Sequence, residues 1–247
     1  MQIIDLGIDA LINKFRPPFR YEEKVLDHGY VRFVEAYGSD QAVIEDARMS
    51  TNKGFQGWEK DAKLLKYLYA HKHMTPFEGS GMKIEIVAPI MVFREWQRHR
   101  TQAFNEMSAR YTPLPDVNYV PDANRCIVVS GENKQAASQS GKTPTHEQVL
   151  NWIESLQWSY EYAQMVYARG LEIGIPKEVA RLPVPVARYS KMRATASLRN
   201  WIAFLTLRED PSAQWEIREY AHVVSRIIMH RFPRTWDLYI DSKIIRK

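Results

Sequence analysis

The chain has 247 residues, 45% hydrophobic and 26% charged, the composition of a globular protein long enough for one sizeable core. Its 34 Lys and Arg against 29 Asp and Glu leave +5, a modest basic balance that suits an anionic small molecule at least as well as nucleic acid, because no dense basic tract runs along one element. The single cysteine, Cys126, excludes an internal disulfide and a cysteine-based metal centre, and no run approaches the roughly 20 apolar residues that span a bilayer.

Met1 to Asp5 lacks the basic start and apolar run of a secretion signal, so a cytoplasmic protein is expected. A short helix is expected over Ile8 to Phe15, closed by Arg16-Pro17-Pro18, which makes residues 1–23 an extension on the main fold. Tyr30 to Ala36 alternates as a strand does, and Ser39-Asp40 reads as the cap of a helix through Ala42, Val43 and Ala47. Leu64, Leu65 and Leu68 sit at helical spacing within Trp58 to His71. Thr75, Pro76 and Glu78 then have the order of a capping box with proline in the first turn. Met82 to Ile86 alternates apolar and charged, a half-buried strand, and Pro89 opens a helix over Ile90 to Gln97.

Cys126 to Val129 reads as a short buried strand, and 130–145, polar and rich in Gly, Ser and Gln, as a flexible loop. Thr145 caps the longest helix, whose apolar or small residues at 149, 153, 156, 160, 163, 167 and 170 form a stripe suited to packing against partner helices, in the same chain or across subunits. Gly174 ends it, and Pro176 starts a short helix containing Arg181. Tyr189 to Ala196 is a strand, Leu198 to Arg208 a helix, and Ser212 caps a last helix reaching about Phe232. Helices alternating with few, short strands predict an α+β architecture in a single domain over residues 1–247, a central, mostly antiparallel sheet with flanking helices.

Polar chemistry concentrates between Arg98 and Tyr111. Arg98, His99 and Arg100 are consecutive, so on a helix they splay roughly 100° apart and cannot share one contact. If Glu106 to Arg110 is extended, Glu106, Ser108 and Arg110 share a face and offer acceptor, hydroxyl and guanidinium to one ligand. A solvated basic helix end is the plain alternative, and the ordered Glu, Ser and Arg that follow argue against it. His71-Lys72-His73 has the spacing of a two-histidine metal site but lacks a third ligand nearby, so no metal is expected. Cys126 lies in an apolar Ile-Val-Val context that favours an inert thiol, which leaves covalent thiol catalysis unsupported.

Arg98-His99-Arg100-Thr101-Gln102-Ala103-Phe104-Asn105-Glu106-Met107-Ser108-Ala109-Arg110-Tyr111 resembles the RHRxxSxNxxSxRY signature of the flavin-dependent thymidylate synthases. Two further blocks agree in order and spacing: His73-Met74-Thr75-Pro76-Phe77-Glu78 upstream, and Leu205-Thr206-Leu207-Arg208 with Ala213-Gln214-Trp215-Glu216-Ile217 downstream. The resemblance covers roughly residues 30–235. It implies a homotetramer with active sites at subunit interfaces, each holding FAD. It implies dTMP made from dUMP, with 5,10-methylenetetrahydrofolate giving the methylene and NADPH giving reducing equivalents through the flavin. Membrane and nucleic-acid partners are not implied.

Position by position, the resemblance puts Arg98, His99, Arg100 and Thr101 at the flavin, together with Ser50, Thr75, Glu78 and His73, the last near the isoalloxazine. Glu106 is shared between cofactor and nucleotide. The nucleotide contacts it implies are Glu95, Arg98, Glu106, Met107, Ser108, Ala109, Arg110 and Arg181, with Arg208 as the catalytic cation that favours ionisation of the uracil ring at N3. Two anionic ligands justify many guanidiniums, because arginine forks match phosphate oxygens.

Four positions depart from the family pattern. Ala103 stands where the signature has serine and cannot act as a nucleophile. Ser197 and Ala203 fall where an asparagine pair often contacts FAD, while Arg199 is kept. Glu95 adds a negative charge where glutamine is frequent. These departures keep open a flavin-binding homologue that acts on another pyrimidine nucleotide such as UMP, or one that is inactive; a basic nucleic-acid-binding protein is the remaining alternative.

Overall fold

In the computed structural model, residues 21–127, 133–138 and 140–245 are described. Five strands, β1 (Glu22–Val25), β2 (Gly29–Tyr37), β3 (Gly81–Pro89), β4 (Ala103–Glu106) and β5 (Tyr189–Ser197), form one sheet in the order β1-β2-β3-β5-β4, each neighbouring pair antiparallel. Central β3 shows the period of two that strand geometry imposes. Met82, Ile84, Ile86 and Ala88 are fully buried on one face. On the other, the Glu85 carboxylate accepts from Tyr30 at 2.8 Å, Arg32 at 3.1 Å and Arg193 at 3.3 Å, a cross-strand set that compensates a buried charge. Gly29 lets β2 close on this core: a Cβ there would lie 2.0 Å from the Tyr220 hydroxyl.

The helices are α1 (Asp40–Arg48), α2 (Trp58–Ala70), α3 (Ile90–Trp96), α4 (Ala123–Ile127), α5 (His146–Glu172), α6 (Lys177–Ala180), α7 (Leu198–Arg208), α8 (Trp215–Arg231) and α9 (Pro233–Ile245). Helices α7 and α8 join the apolar side of the sheet through Trp201, Phe204, Leu205, Ile217, Val224 and Ile228. The expected α+β arrangement of an antiparallel sheet with flanking helices is what the chain adopts. Ser39 caps α1 by accepting from the Ala42 N–H, and Thr145 with Gln148 forms a reciprocal capping box on α5. Gly174, at φ +85, follows α5 in a conformation that glycine adopts without strain. Among the described residues, no helix is long and apolar enough to cross a membrane.

Several local expectations are corrected. Thr75 does not cap a helix: Thr75–Glu78 is a 3-10 turn preceded by Met74, with no side-chain cap. Cys126 and Ile127 end α4 rather than start a strand, while Val128 and Val129 lie outside the described residues, as do Ile8 to Phe15. Glu106 to Arg110 is not extended throughout. Strand β4 stops at Glu106, and a turn closes where the Tyr111 and Thr112 N–H groups donate to the Ser108 carbonyl. Ser212 does not cap α8, because its N–H and hydroxyl both donate to Asp210, at 2.8 and 2.5 Å, and Gln214 takes the cap position. Strand β1, which starts at the end of the expected extension and runs past it, and helix α9 lie outside the sequence expectations. The chain restarts as α9 at Pro233, and the buried Asp40 carboxylate accepts from the Arg234 and Thr235 N–H groups at 2.9 and 3.1 Å, satisfying first-turn donors that otherwise lack partners.

The α5 stripe finds packing partners in its own chain. Its residues pack within the chain: Val149 and Tyr167 are buried, the Tyr160 hydroxyl donates to the Tyr119 carbonyl at 3.2 Å, and Gly170 faces Ala180 of α6. Of the apolar residues that α5 leaves exposed, Trp158, Tyr162 and Met165 lie on the face opposite the stripe.

Candidate active site

Helix α7 physically joins the three motif blocks. The Ser197 hydroxyl caps it, accepting from the Asn200 N–H at 3.4 Å. In the first turn, Arg199 pairs with Glu78 of the 3-10 turn, and the Asn200 side chain donates to the Thr101 carbonyl at 3.2 Å. At the far end, Arg208 donates from Nε to His99 Nε2 at 2.9 Å and from its two terminal nitrogens to the Glu95 carboxylate and main-chain oxygen at 3.0 and 2.8 Å. Guanidinium has five N–H groups, so three are committed and two remain, one on each terminal nitrogen. His99 is half-buried with its ring edge-on to Phe204 at 4.9 Å, and burial together with the Arg208 charge pushes its pKa down to about 4.

A second group surrounds a cleft of about 550 Å³ between α3, the 107–109 segment and the residues after α6. Glu106, Met107, Ser108, Ala109 and Arg181 all line it, joined by Arg94, Gln97 and Ser190. Among the described residues neither Arg94 nor Arg181 makes an ion pair, so both cations are available to an anion. Gln97 donates to the Glu106 carboxylate at 3.1 Å, and desolvation by the surrounding protein raises that carboxyl above its ordinary range. Arg110 is not part of this lining; it pairs with Glu178 at 3.2 Å.

A family model described as thymidylate synthase complementing protein matches residues 32–234, and a flavin-dependent thymidylate synthase of Thermosipho africanus is 40% identical over 89% of this chain and 94% of that protein. The chain belongs to the flavin-dependent thymidylate synthase family. It is thereby an enzyme of the methyltransferase class. A relative from Thermus thermophilus is 38% identical over 87% of the chain and 77% of its own length. Two solved structures, of a UMP/dUMP methylase PolB from Streptomyces cacaoi bound with 5-Br dUMP and with 5-Br UMP, are 32% and 34% identical. Each superposes with a TM-score of 0.76, over 89% and 88% of this chain and 97% and 96% of theirs.

The residues implied to hold the family's flavin are compatible with such a ligand. Arg98 and Arg100 are exposed and without an ion pair among the described residues, as a diphosphate requires, and Thr75 is exposed in the turn whose Glu78 pairs with Arg199 of α7. Ser50 lies in the 3-10 turn Met49–Thr51 with its hydroxyl donating to the Ala47 carbonyl. His73 stands edge-on to Tyr67, which is stacked on His71 at 4.1 Å. Ala203 lines a separate cleft with Arg199 and offers it no polar side-chain atom. Among the described residues no group of three His, Cys, Asp or Glu could hold a metal ion.

Gln97, Arg94 and Ser190 enter the site without having been singled out as contacts. Gln97 had a legible signal, since it follows the helix that delivers Arg98. Ser190 had none, because its role depends on β5 running antiparallel to β3.

The depressed His99 pKa carries a stability consequence. The unfolded ring takes up a proton near 6.5, the folded ring only near 4, so stability is complete above 6.5 and is lost as pH falls towards 4. The loss attributable to His99 is at most about 1 kcal/mol per pH unit, partial exposure screening the rest. Denaturant unfolding at pH 7 and pH 5 should show a steeper fall for the parent than for His99→Gln; equal slopes would remove the argument.

Proposed function

We propose that this enzyme methylates dUMP at C5 to give dTMP, with 5,10-methylenetetrahydrofolate as carbon donor and NADPH-reduced FAD as hydride source. The observation that carries the reading is α7 itself, which binds the upstream turn, the Arg98–Thr101 segment and Arg208 into one unit. When bound, reduced flavin supplies the hydride that turns the transferred methylene into a methyl group. Ser50, His73, Thr75, Glu78, Arg98, His99, Arg100, Thr101 and Arg199 would hold it.

The chain's own part is binding and electrostatics. Arg181, Ser108 and Ala109 offer the nucleotide phosphate a cation, a hydroxyl and small main-chain access within the 550 Å³ cleft. Arg208 keeps its orientation before any ligand arrives, because three acceptors hold it. A fixed cation beside the uracil N3 lowers the pKa of that group, and ionisation there raises electron density at C5. No thiolate is required: burial pushes the Cys126 thiol up, away from the nucleophilic form.

The second reading is methylation of UMP, favoured by the similarity to a UMP/dUMP methylase and by Glu95 beside Arg208. Tritium release from 5-tritiated dUMP, compared with UMP and dCMP, tests both. Release from dUMP supports the first reading, release from UMP alone replaces it with the second, and release from neither refutes both.

The same proposal includes a single cytoplasmic domain and a homotetramer with composite sites. Trp158 stacked on Tyr162, with Met165 and Val166, leaves an apolar face on α5 that suits contact with another copy. Light scattering should give a mass near four chains, and Trp158→Glu should lower it; a monomer at micromolar concentration would refute the assembly.

A further inference from the structure

A guanidinium nitrogen can donate but not accept, so the 2.9 Å contact from Arg208 Nε makes His99 Nε2 the acceptor. The one proton of a neutral imidazole then sits on Nδ1. Among the described residues Nδ1 has no hydrogen-bond partner, which makes it the ring's one available donor. Two further contacts fix the plane of the guanidinium: the Glu95 carboxylate at 3.0 Å and the Glu95 main-chain oxygen at 2.8 Å. Phe204, one turn before Arg208 on α7, stands edge-on to the imidazole and limits its rotation.

We infer that Glu95 and Arg208 are positioning residues for His99, a hydrogen-bonded line that locks the imidazole as the Nδ1–H tautomer and presents that N–H to a heteroaromatic acceptor. The ligand side of this inference rests on the reading that Arg98 to Thr101 face the flavin; the tautomer does not. Arg208 thereby has two tasks, one towards the nucleotide through its two remaining N–H groups and one towards the cofactor through Nε. Glu95 serves both, because it occupies the terminal nitrogens without touching the ring. The low proton affinity of His99 agrees with this arrangement: burial disfavours the charged ring, the Arg208 charge adds to that, and among the described residues no carboxylate pairs with the imidazole.

The arrangement separates the positive charge from the hydrogen-bond donor. Arg208 carries the charge and His99 carries the neutral N–H, so a ring acceptor at His99 receives a hydrogen bond without an imidazolium beside it. Lysine at 208 would keep the charge but has no N–H at the Nε position, and its ammonium cannot reproduce the planar fork.

The test is long-range proton–nitrogen NMR on the full chain labelled with 15N-histidine at pH 7, with His99 assigned by its absence in His99→Gln. The expected spectrum has a pyrrole-type Nδ1 and a pyridine-type Nε2 for His99. In Arg208→Lys the ring should change to a mixture of tautomers while the other six histidines keep their positions, and Glu95→Ala should move it part of the way. An Nε2–H ring in the unmodified protein, or an unchanged His99 spectrum in Arg208→Lys, overturns the inference. If Arg208→Lys fails to fold, the unmodified spectrum alone decides. Addition of FAD should then shift the Nδ1 proton. A locked tautomer that FAD leaves unmoved refutes the flavin-facing part, and a mixed tautomer refutes the positioning itself.

Discussion

Arg208→Ala is expected to cut methylation kcat/KM by at least roughly 10²–10³-fold, the loss that removal of one preorganised donor to developing charge produces. The effect should fall mainly on kcat, because Arg181 and its cleft still hold the phosphate end. FAD should remain bound, since Arg98, Arg100 and the Glu78–Arg199 pair are all kept, and its visible absorbance reports this directly. Arg208→Lys should recover only part of the activity, because an ammonium restores charge without the fork that meets His99 and Glu95 together. Full turnover in Arg208→Ala with FAD bound would remove Arg208 from the chemistry.

This expectation has a structural reason that the motif alone does not contain. In sequence, Arg208 is more than one hundred positions from His99, and only the packing of α7 against α3 brings them together. Truncation at 208 therefore has a second effect: the Glu95 carboxylate loses its partner and stands near the nucleotide as an uncompensated charge. Glu95→Gln in the alanine background should restore some nucleotide binding, whereas in the parent it should not improve it.

The elements with strong local signals were readable from the sequence. Leu198–Arg208 and Tyr189–Ser197 follow from helical and alternating patterns whose burial matches one amphipathic face each. The Ser39 and Thr145 caps were readable because their hydroxyls meet the N–H groups of their own helices. What failed was local chemistry overruled by a distant partner. Thr75 has the sequence of a cap, but Glu78 is drawn to Arg199 rather than back to the turn. Ser212 is taken by Asp210, and the first-turn donors of α9 are met by Asp40, nearly two hundred positions earlier. The apolar stripe of α5 was legible as a stripe, but not its partner, because own-chain and second-chain packing demand the same spacing. Within the site, the arginines could be named from the motifs; that Arg110 turns to Glu178 while Arg94 stays in the cleft depends on the turn after β4.

Trp201→Ala is expected to have the largest effect on stability, and the cause is again α7. The indole is fully buried, edge-on to Phe204 at 5.8 Å, and donates to the Met82 carbonyl of the central strand at 3.0 Å. Truncation leaves a large cavity between helix and sheet and removes the hydrogen bond to that carbonyl, together about 4–6 kcal/mol. Since whole domains are stable by about 5–15 kcal/mol, the variant should unfold at a much lower guanidinium concentration or fail to accumulate. Trp201→Phe keeps most of the volume and loses the donor, so it should cost less, about 2 kcal/mol. Because α7 carries Arg199, Asn200 and Arg208 on the same rigid element, the phenylalanine variant should also retain flavin less tightly, with no change to any residue that touches it. Denaturation midpoints and flavin release measured on the same samples test the coupling. If Trp201→Phe is destabilised but holds flavin as tightly as the parent, α7 is not the element that couples the core to the site.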